Sequence, residues 1–378
     1  MNASLTVEQI ETAAGFAALK PDWNRLADRA PPPRLFLRHE WFDAALAWHG
    51  DEGTALRLLV LRRDGIPIAI APFMAQRQRR HGLQVRSLRF LAVPDTQACG
   101  LVAAPDDLPM AASALLAHLG RTRDWDLLDL HHLPADGPSH AALAEAARRH
   151  GLHLGRGAGA TNHLIDCRAG WATYYATRSR RLKKGNNLVA NRLRKRFQRI
   201  EVVRHRDFPD PTALERCLEQ TIRISAGSWK HETGLSLDHP APGRFIQRLS
   251  RLAAAEGWLS IWLLYLDERA VAMEYQLVHD GRVHALRSDF LPLDEGLSPG
   301  AYLNQQVIRT LCEERCTCYA MGPGDNAYKL HWSNAGAPLE RLQIHNRTAA
   351  GRWLAAVEGG LKPLARRVRD ACRGKTGS

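Results

Sequence analysis

The chain has 378 residues, of which 45% are hydrophobic and 24% charged, a composition that excludes a disordered chain and suffices for two folded domains. The formal net charge of +13 favours an anionic partner, such as a nucleotide cofactor, a nucleic acid or an anionic lipid surface, without choosing among them. Seven scattered cysteines, an odd number, argue against a disulfide framework and favour a reducing compartment.

The expected location is the cytoplasm, with peripheral membrane contact as an additional expectation. Residues 1–11 lack the basic and apolar regions of a secretion signal, and the chain has no run of about 18 apolar residues. The tail, residues 347–378, is predicted to be a helix followed by a basic segment with an apolar stripe. Such a tail could touch an anionic membrane or be a plain solvated helix.

The first half of the chain predicts a helical region and then a hairpin. Residues 13–50 show helical patterns around Pro31-Pro32-Pro33, and two apolar runs, 58–61 and 66–74, flank an Asp64-Gly65 turn. A Gly-Ala-rich stretch at 155–162 predicts a domain boundary, which gives domains 1–157 and 158–346.

Residues 171–206 form a strongly basic segment in which Glu201 is the only acid. Apolar residues at helical spacing predict an amphipathic helix, interrupted near Gly185. Three interpretations stay open: a solvated basic face, a surface for the phosphate of a cofactor or acceptor, and a nucleic-acid arm. The arginines considered for substrate binding are Arg181, Arg192, Arg194 and Arg196.

The stretch from Trp258 to Trp332 predicts three strands, a helix and a fourth strand. Alternation from Val271 to Leu277 is typical of a half-buried strand, and Asp280-Gly281 predicts the next hairpin turn. Ser298-Pro299-Gly300 then predicts a helix start, with Ser as the cap and Pro in the first turn. Free N–H groups there suit a phosphate, although an ordinary helix start explains the same residues.

Two blocks of this stretch repeat earlier ones in the same order. The hairpin around Asp267 matches the one around Asp64 at an offset of 203 (267 minus 64), and the helix at Pro299 matches one at Pro109 at an offset of 190 (299 minus 109). Repetition in order predicts a duplicated domain, with chance similarity of hairpins as the alternative. The first copy, which has Pro109-Met110 in place of Pro299-Gly300, is expected to be structural or to shape an acceptor site.

The later motifs, taken together, carry a family resemblance. Ser288-Asp289-Phe290, the Ser298-Pro299-Gly300 helix, Gly322-Pro323-Gly324-Asp325 and Tyr328-Lys329-Leu330-His331-Trp332 resemble the GNAT-type acetyltransferases of the cellulose-biosynthesis CelD type, relatives of the Fem-type aminoacyl transferases. The family often carries an Asp two residues before the first Gly of the Gly-x-Gly element, whereas this chain has Ala320, so no carboxylate role is assigned there. The resemblance implies a mixed α/β (α+β) fold of two tandem GNAT-like domains, each with a largely antiparallel sheet flanked by helices.

Acyl transfer from a thioester to an amine needs a base, donors for the oxyanion and an acid for the leaving thiolate. The candidates for these tasks lie in the second copy, and each is also explicable as an ordinary cleft or surface residue. They are Glu274 and Asp289 as bases, Tyr275 and Tyr328 as acids, and Lys329 and Arg287 as charge stabilisers.

The predicted cofactor site comprises Ser298, Pro299, Gly300 and Arg287, with acetyl-CoA or another acyl-CoA as the implied cofactor. Trp229 lies in a segment that resembles a cleft-lining family element and joins the basic-helix arginines as a substrate-binding candidate, although core packing explains it equally well. The thioester is expected where the strands of Met273 and Arg282 diverge, and the acceptor in a groove between the copies. No metal site is predicted, since Cys312, Cys316 and Cys318 lack a fourth ligand at zinc-like spacing.

The predicted function is therefore acyl-CoA-dependent N-acyl transfer. Its relatives imply an amine of a sugar, a lipid-linked precursor or another small molecule of envelope or exopolysaccharide synthesis as the acceptor. Two alternatives remain: a non-enzymatic module that binds nucleic acid or a membrane surface through the basic helix, and a Fem-like transferase that takes its aminoacyl group from tRNA.

Overall fold

Thirteen strands pair into one mixed, mostly antiparallel sheet in the computed structural model, which describes residues 4–50 and 54–358. The strands are β1 (Leu5–Ile10), β2 (Thr54–Arg63), β3 (Ile66–Arg80), β4 (Leu83–Phe90), β5 (Val102–Ala103), β6 (Leu127–Pro134), β7 (His153–Ile165), β8 (Ile200–His205), β9 (Leu259–Leu266), β10 (Arg269–His279), β11 (Arg282–Phe290), β12 (Cys318–Pro323) and β13 (Ala335–His345).

Helices cover both faces of this sheet. The α-helices are α1 (Ala13–Ala18), α2 (Lys20–Arg29), α3 (His39–His49), α4 (Leu108–Arg121), α5 (Pro138–Arg149), α6 (Trp171–Ala176), α7 (Arg180–Arg196), α8 (Pro211–Ala226), α9 (Pro240–Ala255), α10 (Pro299–Glu313), α11 (Ala327–Trp332) and α12 (Ala349–Ala356). Short 3-10 helices span Arg34–Leu37, Pro105–Asp107 and Trp229–Thr233.

The strand order repeats when it is followed inward from either edge. The order is β1-β2-β3-β4-β6-β13-β7-β12-β11-β10-β9-β8, with β5 paired to β3. Starting from either edge, the first three strand pairs are antiparallel, the fourth is parallel and the fifth is antiparallel. The parallel pair is β4 with β6 in one half and β11 with β12 in the other. The two halves of the chain therefore have the same topology.

A bulge confirms the repeat at the level of single residues. In the first hairpin Leu61 pairs with Ala69 and Arg62 with Pro67, so that Ile68 is skipped. In the second, Leu264 pairs with Ala272 and Tyr265 with Ala270, so that Val271 is skipped. The skipped residues are 203 positions apart (271 minus 68), which is the offset predicted from the sequence.

The Gly-Ala-rich stretch at residues 155–162, which predicted a domain boundary, lies within β7. Its glycines permit close pairing: a Cβ on Gly157 would collide with the Arg341 side chain, and one on Gly159 with the Leu339 carbonyl oxygen. The predicted boundary at residue 157 falls inside this strand. The strands of the two halves lie in one continuous sheet, because β7 and β13 join them.

Three apolar clusters fill the layers on the sheet. One spans both halves, between the sheet and helices α1, α2, α3, α8 and α9. A second lies under α4 and α5, and a third under α6, α7 and α10. The predicted interruption near Gly185 is wrong: α7 continues through this residue because Leu182, Val189 and Leu193 pack into the third cluster while Gly185 faces open space.

The structure describes only the first part of the predicted C-terminal tail, residues 347–358. Helix α12 begins within the predicted tail, whereas the basic residues from Lys362 onward lie outside the described residues. Across residues 4–50 and 54–358, no helix combines the length and the apolar character that a bilayer crossing requires.

We expect Gly159→Ala to lower the free energy of unfolding by about 1–3 kcal/mol, because the new methyl group meets the Leu339 carbonyl oxygen. Gly185→Ala is the matched control, and should leave stability unchanged or raise it by about 0.5–1 kcal/mol, since alanine favours a helix interior with room around it. Chemical denaturation of both variants measures the difference. Equal stabilities would contradict the close β7–β13 pairing.

Candidate functional site

The parallel strands β11 and β12 separate after three paired residues. Arg282, Val283 and His284 of β11 pair with Cys318, Tyr319 and Ala320, after which β11 continues to Phe290 with β10 as its neighbour. The expectation that the strands of Met273 and Arg282 diverge is wrong, since these are β10 and β11, which stay paired from Ala272 to His279. The divergence lies one strand further along the sheet.

A loop from the first half reaches this divergence. Gln97 is buried, donates from Nε2 to the Ala285 carbonyl oxygen at 2.8 Å, and lies with Oε1 3.2 Å from His284 Nδ1. Lys230 donates to the Ser288 carbonyl oxygen at 3.1 Å. Two carbonyl groups of β11 beyond its pairing with β12 thus find side-chain donors, one from each half of the molecule.

Four charged side chains form a buried cluster next to these donors. Lys230 Nζ lies 2.5 Å from Asp289 Oδ1, and the Ser225 hydroxyl donates to Asp289 Oδ2 at 2.7 Å. Arg287 Nη2 lies 2.6 Å from Asp95 Oδ2, while its Nη1 donates to the Leu235 carbonyl oxygen at 2.8 Å. Burial raises the pKa of the Asp95 carboxyl, although the charges of Arg287 and Lys230 act in the opposite direction.

These partners change the interpretation of two candidates. Arg287, a predicted cofactor ligand, is 5% exposed and clamps Asp95 of the first half, so its guanidinium is not free for a phosphate. Asp289, a predicted base, is held as the partner of Lys230 and Ser225. Both residues are opposite Tyr275 and Met273 of the shared apolar cluster, on the α8–α9 side of the sheet.

Tyr275 is also unsuited to its predicted role as an acid. Its side chain is fully buried in the shared cluster, with the hydroxyl 3.0 Å from Ser250 Oγ. Burial raises the pKa of this phenol. The hydroxyl is therefore part of the core between α9 and the sheet.

Glu274 lies on the opposite face of β10 and is 1% exposed. Its Oε1 accepts hydrogen bonds from Tyr319 Oη and Gln276 Nε2, both at 2.6 Å, whereas its Oε2 has no hydrogen-bond partner within the described residues. Burial raises the pKa of the Glu274 carboxyl, and these two hydrogen bonds only partly oppose it. A buried carboxylate oxygen without a partner is costly in a purely structural role, which marks Glu274 as the strongest candidate base.

Tyr328 and Lys329 both lie on α11, after the Gly322-Pro323-Gly324 turn. Tyr328 is 38% exposed, and burial of its hydroxyl together with the nearby charge of Glu274 raises the pKa of this phenol. Lys329 is buried and donates to the carbonyl oxygens of Gly322 and Pro323 at 2.9 and 3.0 Å. Burial lowers the pKa of Lys329, and its contacts make it a brace for the turn.

The helix start that was predicted to bind a phosphate, at Ser298 to Gly300, has a close aromatic neighbour. Ser298 occupies the cap position of α10 without a capping hydrogen bond from its side chain, and Pro299 opens the helix. The close approach expected at Gly300 is made by the chain itself, because a Cβ there would lie 2.5 Å from the Phe290 ring. No acid occurs in the first turn, so the positive end of the helix dipole is uncompensated from within α10.

The basic helix α7 lies beside α10 and not between the halves. Arg192 donates to the Gly296 carbonyl oxygen at 3.2 Å, and Arg196 Nε is 4.0 Å from Asp294, both in the loop that leads into α10. Arg181 and Arg194 are exposed. The expected groove between the copies is therefore not lined by this helix. Trp229 is 63% exposed and directly precedes Lys230 of the buried charge cluster.

One group of potential metal ligands occurs in the described part of the chain, and the sequence analysis missed it. His231, Asp238 and His239 place one ligand atom each within 4.8 Å of one another. His231 Nδ1 is 3.1 Å from Asp238 Oδ2, and His239 Nε2 is 3.0 Å from the His231 carbonyl oxygen. These contacts account for the three side chains as a surface hydrogen-bond network.

The two diverging parallel strands lie beside the start of α10, with the buried Glu274 carboxyl on β10 and Tyr328 on α11. Residues 187–330 match the family model described as the acetyltransferase (GNAT) domain. This segment contains β11, α10, β12 and Tyr328, and the match supports an acyltransferase. The narrower resemblance to the CelD type stays a prediction.

Solved structures share the fold over most of the chain. FemX superposes with a TM-score of 0.56 at 10% identity, over 88% of this chain and 96% of that chain. The C-terminal domain of a putative lysylphosphatidylglycerol synthetase from Agrobacterium fabrum gives 0.53 at 13% identity, over 91% and 98%. L-PGS from Bacillus licheniformis gives 0.50 at 12% identity, over 92% and 98%. A search of curated protein sequences finds no match.

We expect Arg287→Met to cost about 3–5 kcal/mol of unfolding free energy, because it leaves the Asp95 carboxylate buried without its partner. The control is Arg199→Met, which breaks a pair with Glu201 whose side chains are 67% and 43% exposed and should cost less than about 1 kcal/mol. In the double variant Asp95→Leu/Arg287→Met most of the loss should be recovered. A double variant no more stable than Arg287→Met would contradict the pairing.

Proposed function

We propose that the protein is an acyl-CoA-dependent N-acyltransferase whose active site is the divergence of β11 and β12. The observation that carries the proposal is the buried Glu274 carboxyl, which accepts a hydrogen bond from Tyr319 of β12 where that strand pairs with β11, within the segment that matches a GNAT domain. Acetyl-CoA is the proposed donor, as in the CelD-type resemblance. A small-molecule or lipid-linked amine is the proposed acceptor.

The cofactor phosphates bind at the start of α10. The free N–H groups of Gly300 and Ala301 and the helix dipole supply the attraction, since Pro299 has no N–H and the first turn has no acid. Arg192 and Arg196 flank the preceding loop and add positive charge at the same end. In this assignment the basic helix serves the cofactor, in place of the acceptor role expected from the sequence.

Glu274 and Tyr328 move the protons of the reaction. The amine nitrogen attacks the thioester carbonyl carbon, and its proton passes to the Tyr328 hydroxyl while that hydroxyl gives its own proton to Glu274. Glu274 Oε1 is held by Tyr319 and Gln276, so this step requires the Tyr328 hydroxyl, which lies near enough to respond to the charge of Glu274, to approach Oε2. When the carbon–sulfur bond breaks, the same relay runs backward and delivers the proton to the thiolate. The Tyr328 side chain is 38% exposed, whereas its hydroxyl and Glu274 are buried, so the proposed relay lies beneath the surface that the substrate contacts.

The acceptor approaches over an exposed apolar rim. Trp229, Tyr328 and Leu330 are 63%, 38% and 57% exposed, large fractions for side chains of this size. They belong to the 3-10 helix at Trp229, whose Lys230 reaches the Ser288 carbonyl oxygen of β11, and to α11, whose Lys329 reaches the Gly322 carbonyl oxygen of β12. An acceptor with an apolar portion, such as a lipid-linked amine or a sugar ring that stacks on Trp229, fits this rim.

A Fem-like transferase that uses aminoacyl-tRNA is the second candidate function. The exposed arginines and lysines of α7 beside the start of α10 favour it, because such a surface attracts a phosphate backbone. Calorimetric titration with acetyl-CoA and with a short RNA duplex over a range of salt concentrations separates the two functions. CoA binding without RNA binding sustains the first candidate, and RNA binding with a steep salt dependence and no CoA binding replaces it with the second.

We expect Ala301→Glu to weaken CoA binding by roughly a factor of five, or about 1 kcal/mol, because it places a negative charge at the start of α10. The helix itself gains from this charge, so lost affinity cannot come from unfolding. Ala141→Glu, an exposed residue in the first turn of another proline-initiated helix, is the control and should keep native affinity. Equal CoA affinities for the two variants would move the phosphates away from α10.

We expect Glu274→Gln to lower kcat by about 100-fold or more while leaving the fold intact. Burial raises the pKa of Glu274, so charging this group costs the native state free energy at neutral pH, and the neutral glutamine avoids that cost. Native kcat/KM should rise with pH through a pKa above the usual glutamate value, because the base must lose its proton to act. A Glu274→Gln variant with native kcat and an unchanged pH profile would exclude this base.

A further inference from the structure

The first half has a strand divergence of its own. Ser87 and Leu88 of β4 pair in parallel with Leu127 and Leu128 of β6, and the two strands then separate. Arg89, the next residue of β4, pairs across the hairpin with Met74. The repeat offset of 203 places Met74 at Leu277, whose partner in β11 is His284. Arg89 is therefore the counterpart of His284 at the second divergence.

The two counterparts have different surroundings. His284 is 3% exposed, and its Nδ1 lies 3.2 Å from Gln97 Oε1. Arg89 instead lines a cavity of about 390 Å³, and its Nε is buried without a hydrogen-bond partner within the described residues. Trp48, His49, Phe90, Pro94, His131 and His132 also line this cavity. Its volume lies within the usual range of small-molecule sites.

The carboxylate on the opposite strand does not neutralise Arg89. Asp129 lines the same cavity, but Arg341 approaches it at 2.5 and 2.7 Å and Arg80 at 3.2 Å. Two guanidinium groups thus approach this one carboxylate, and Arg80 also pairs with Glu358 at 2.7 Å, so three arginines including Arg89 face two carboxylates. Burial lowers the pKa of Arg89 and those of His49 and His132, so both histidines are neutral at pH 7 while Arg89 still carries its charge. The cavity has a surplus of positive charge that an anion would offset.

The start of helix α4, beside the first divergence, is unsuited to the phosphates of a second CoA molecule. Helix α4, the counterpart of α10, is preceded by Asp106 and Asp107, and Asp107 occupies its cap position. These carboxylates oppose a pyrophosphate at the helix start. Any anion recognised here must be compact enough to meet Arg89 within the cavity.

We propose that the cavity around Arg89 binds a small anionic molecule through a carboxylate or phosphate group, at a site separate from the β11–β12 divergence. The guanidinium supplies paired N–H donors, and the neutral imidazoles of His49 and His132 supply further polar contacts. Trp48 and Phe90 form an aromatic wall against the remainder of the ligand. The same loop that borders the cavity at Ala92, Val93 and Pro94 continues to Asp95 and Gln97, so the ligand contacts the segment that reaches the second half.

Histidine-ring NMR tests the site on the full-length protein, because His49, His131 and His132 line the cavity. Inorganic phosphate and acetate are titrated separately at constant ionic strength, which distinguishes the two anion classes. The native protein should show saturable shifts of these rings for at least one anion. Arg89→Gln should weaken that binding at least about tenfold, Arg89→Lys should weaken it less, and the exposed control Arg79→Gln should keep it.

Three results would overturn the proposal: linear shifts without saturation for both anions, native affinity in Arg89→Gln, or equal losses in Arg89→Gln and Arg79→Gln. Circular dichroism and a thermal melt establish that each variant is folded. CoA is then titrated into the same samples. Displacement of the bound anion by CoA would make the cavity part of the cofactor site and refute a separate one. Absence of acyltransferase activity would refute the proposed function while leaving this anion site standing.

Discussion

The antiparallel pairing of β7 with β13 is the constraint on which the rest of the structure depends. Both neighbours of β7, β12 and β13, come from the second half of the chain, and both neighbours of β13, β6 and β7, come from the first. Each half thus completes the sheet of the other. Without this exchange β6 and β12 would be unpaired edges, which proteins avoid.

Joining the halves in one sheet also brings a first-half loop to the second-half site. Asp95 and Gln97 follow β4, yet their partners Arg287 and Ala285 lie 192 and 188 residues further along the chain. The helix layer reinforces this arrangement, because α3 and α9 pack against each other over one shared apolar cluster. The first half therefore contributes side chains to the β11–β12 divergence as well as strands to the shared sheet.

The sequence predicted the local elements of the fold better than the contacts between them. The hairpins at Asp64 and Asp280, the helix at Pro299 and the 203-residue offset follow from alternation, turn residues and spacing, which are short-range signals. Strand β7 was missed because glycines that permit close strand packing look like a linker in a single sequence. Arg287 and Asp289 were predicted to be site residues. Their partners Asp95 and Lys230 come from distant segments, so the local sequence does not reveal the ion pairs. Tyr319 was missed for the same reason, since only the fold brings it to Glu274.

The two carboxylates proposed as bases from the sequence lie on opposite faces of the sheet, and their environments separate their roles. Asp289 has a lysine and a hydroxyl as partners, an arrangement that stabilises an anion and fixes the end of β11 against α8. Glu274 is buried, with one oxygen held by Tyr319 and Gln276 and the other without a partner in the described part of the chain, an arrangement that favours the neutral acid. The ion pair and hydrogen bond of Asp289 thus stabilise its charged form, whereas burial makes the charged form of Glu274 less stable and raises its affinity for a proton.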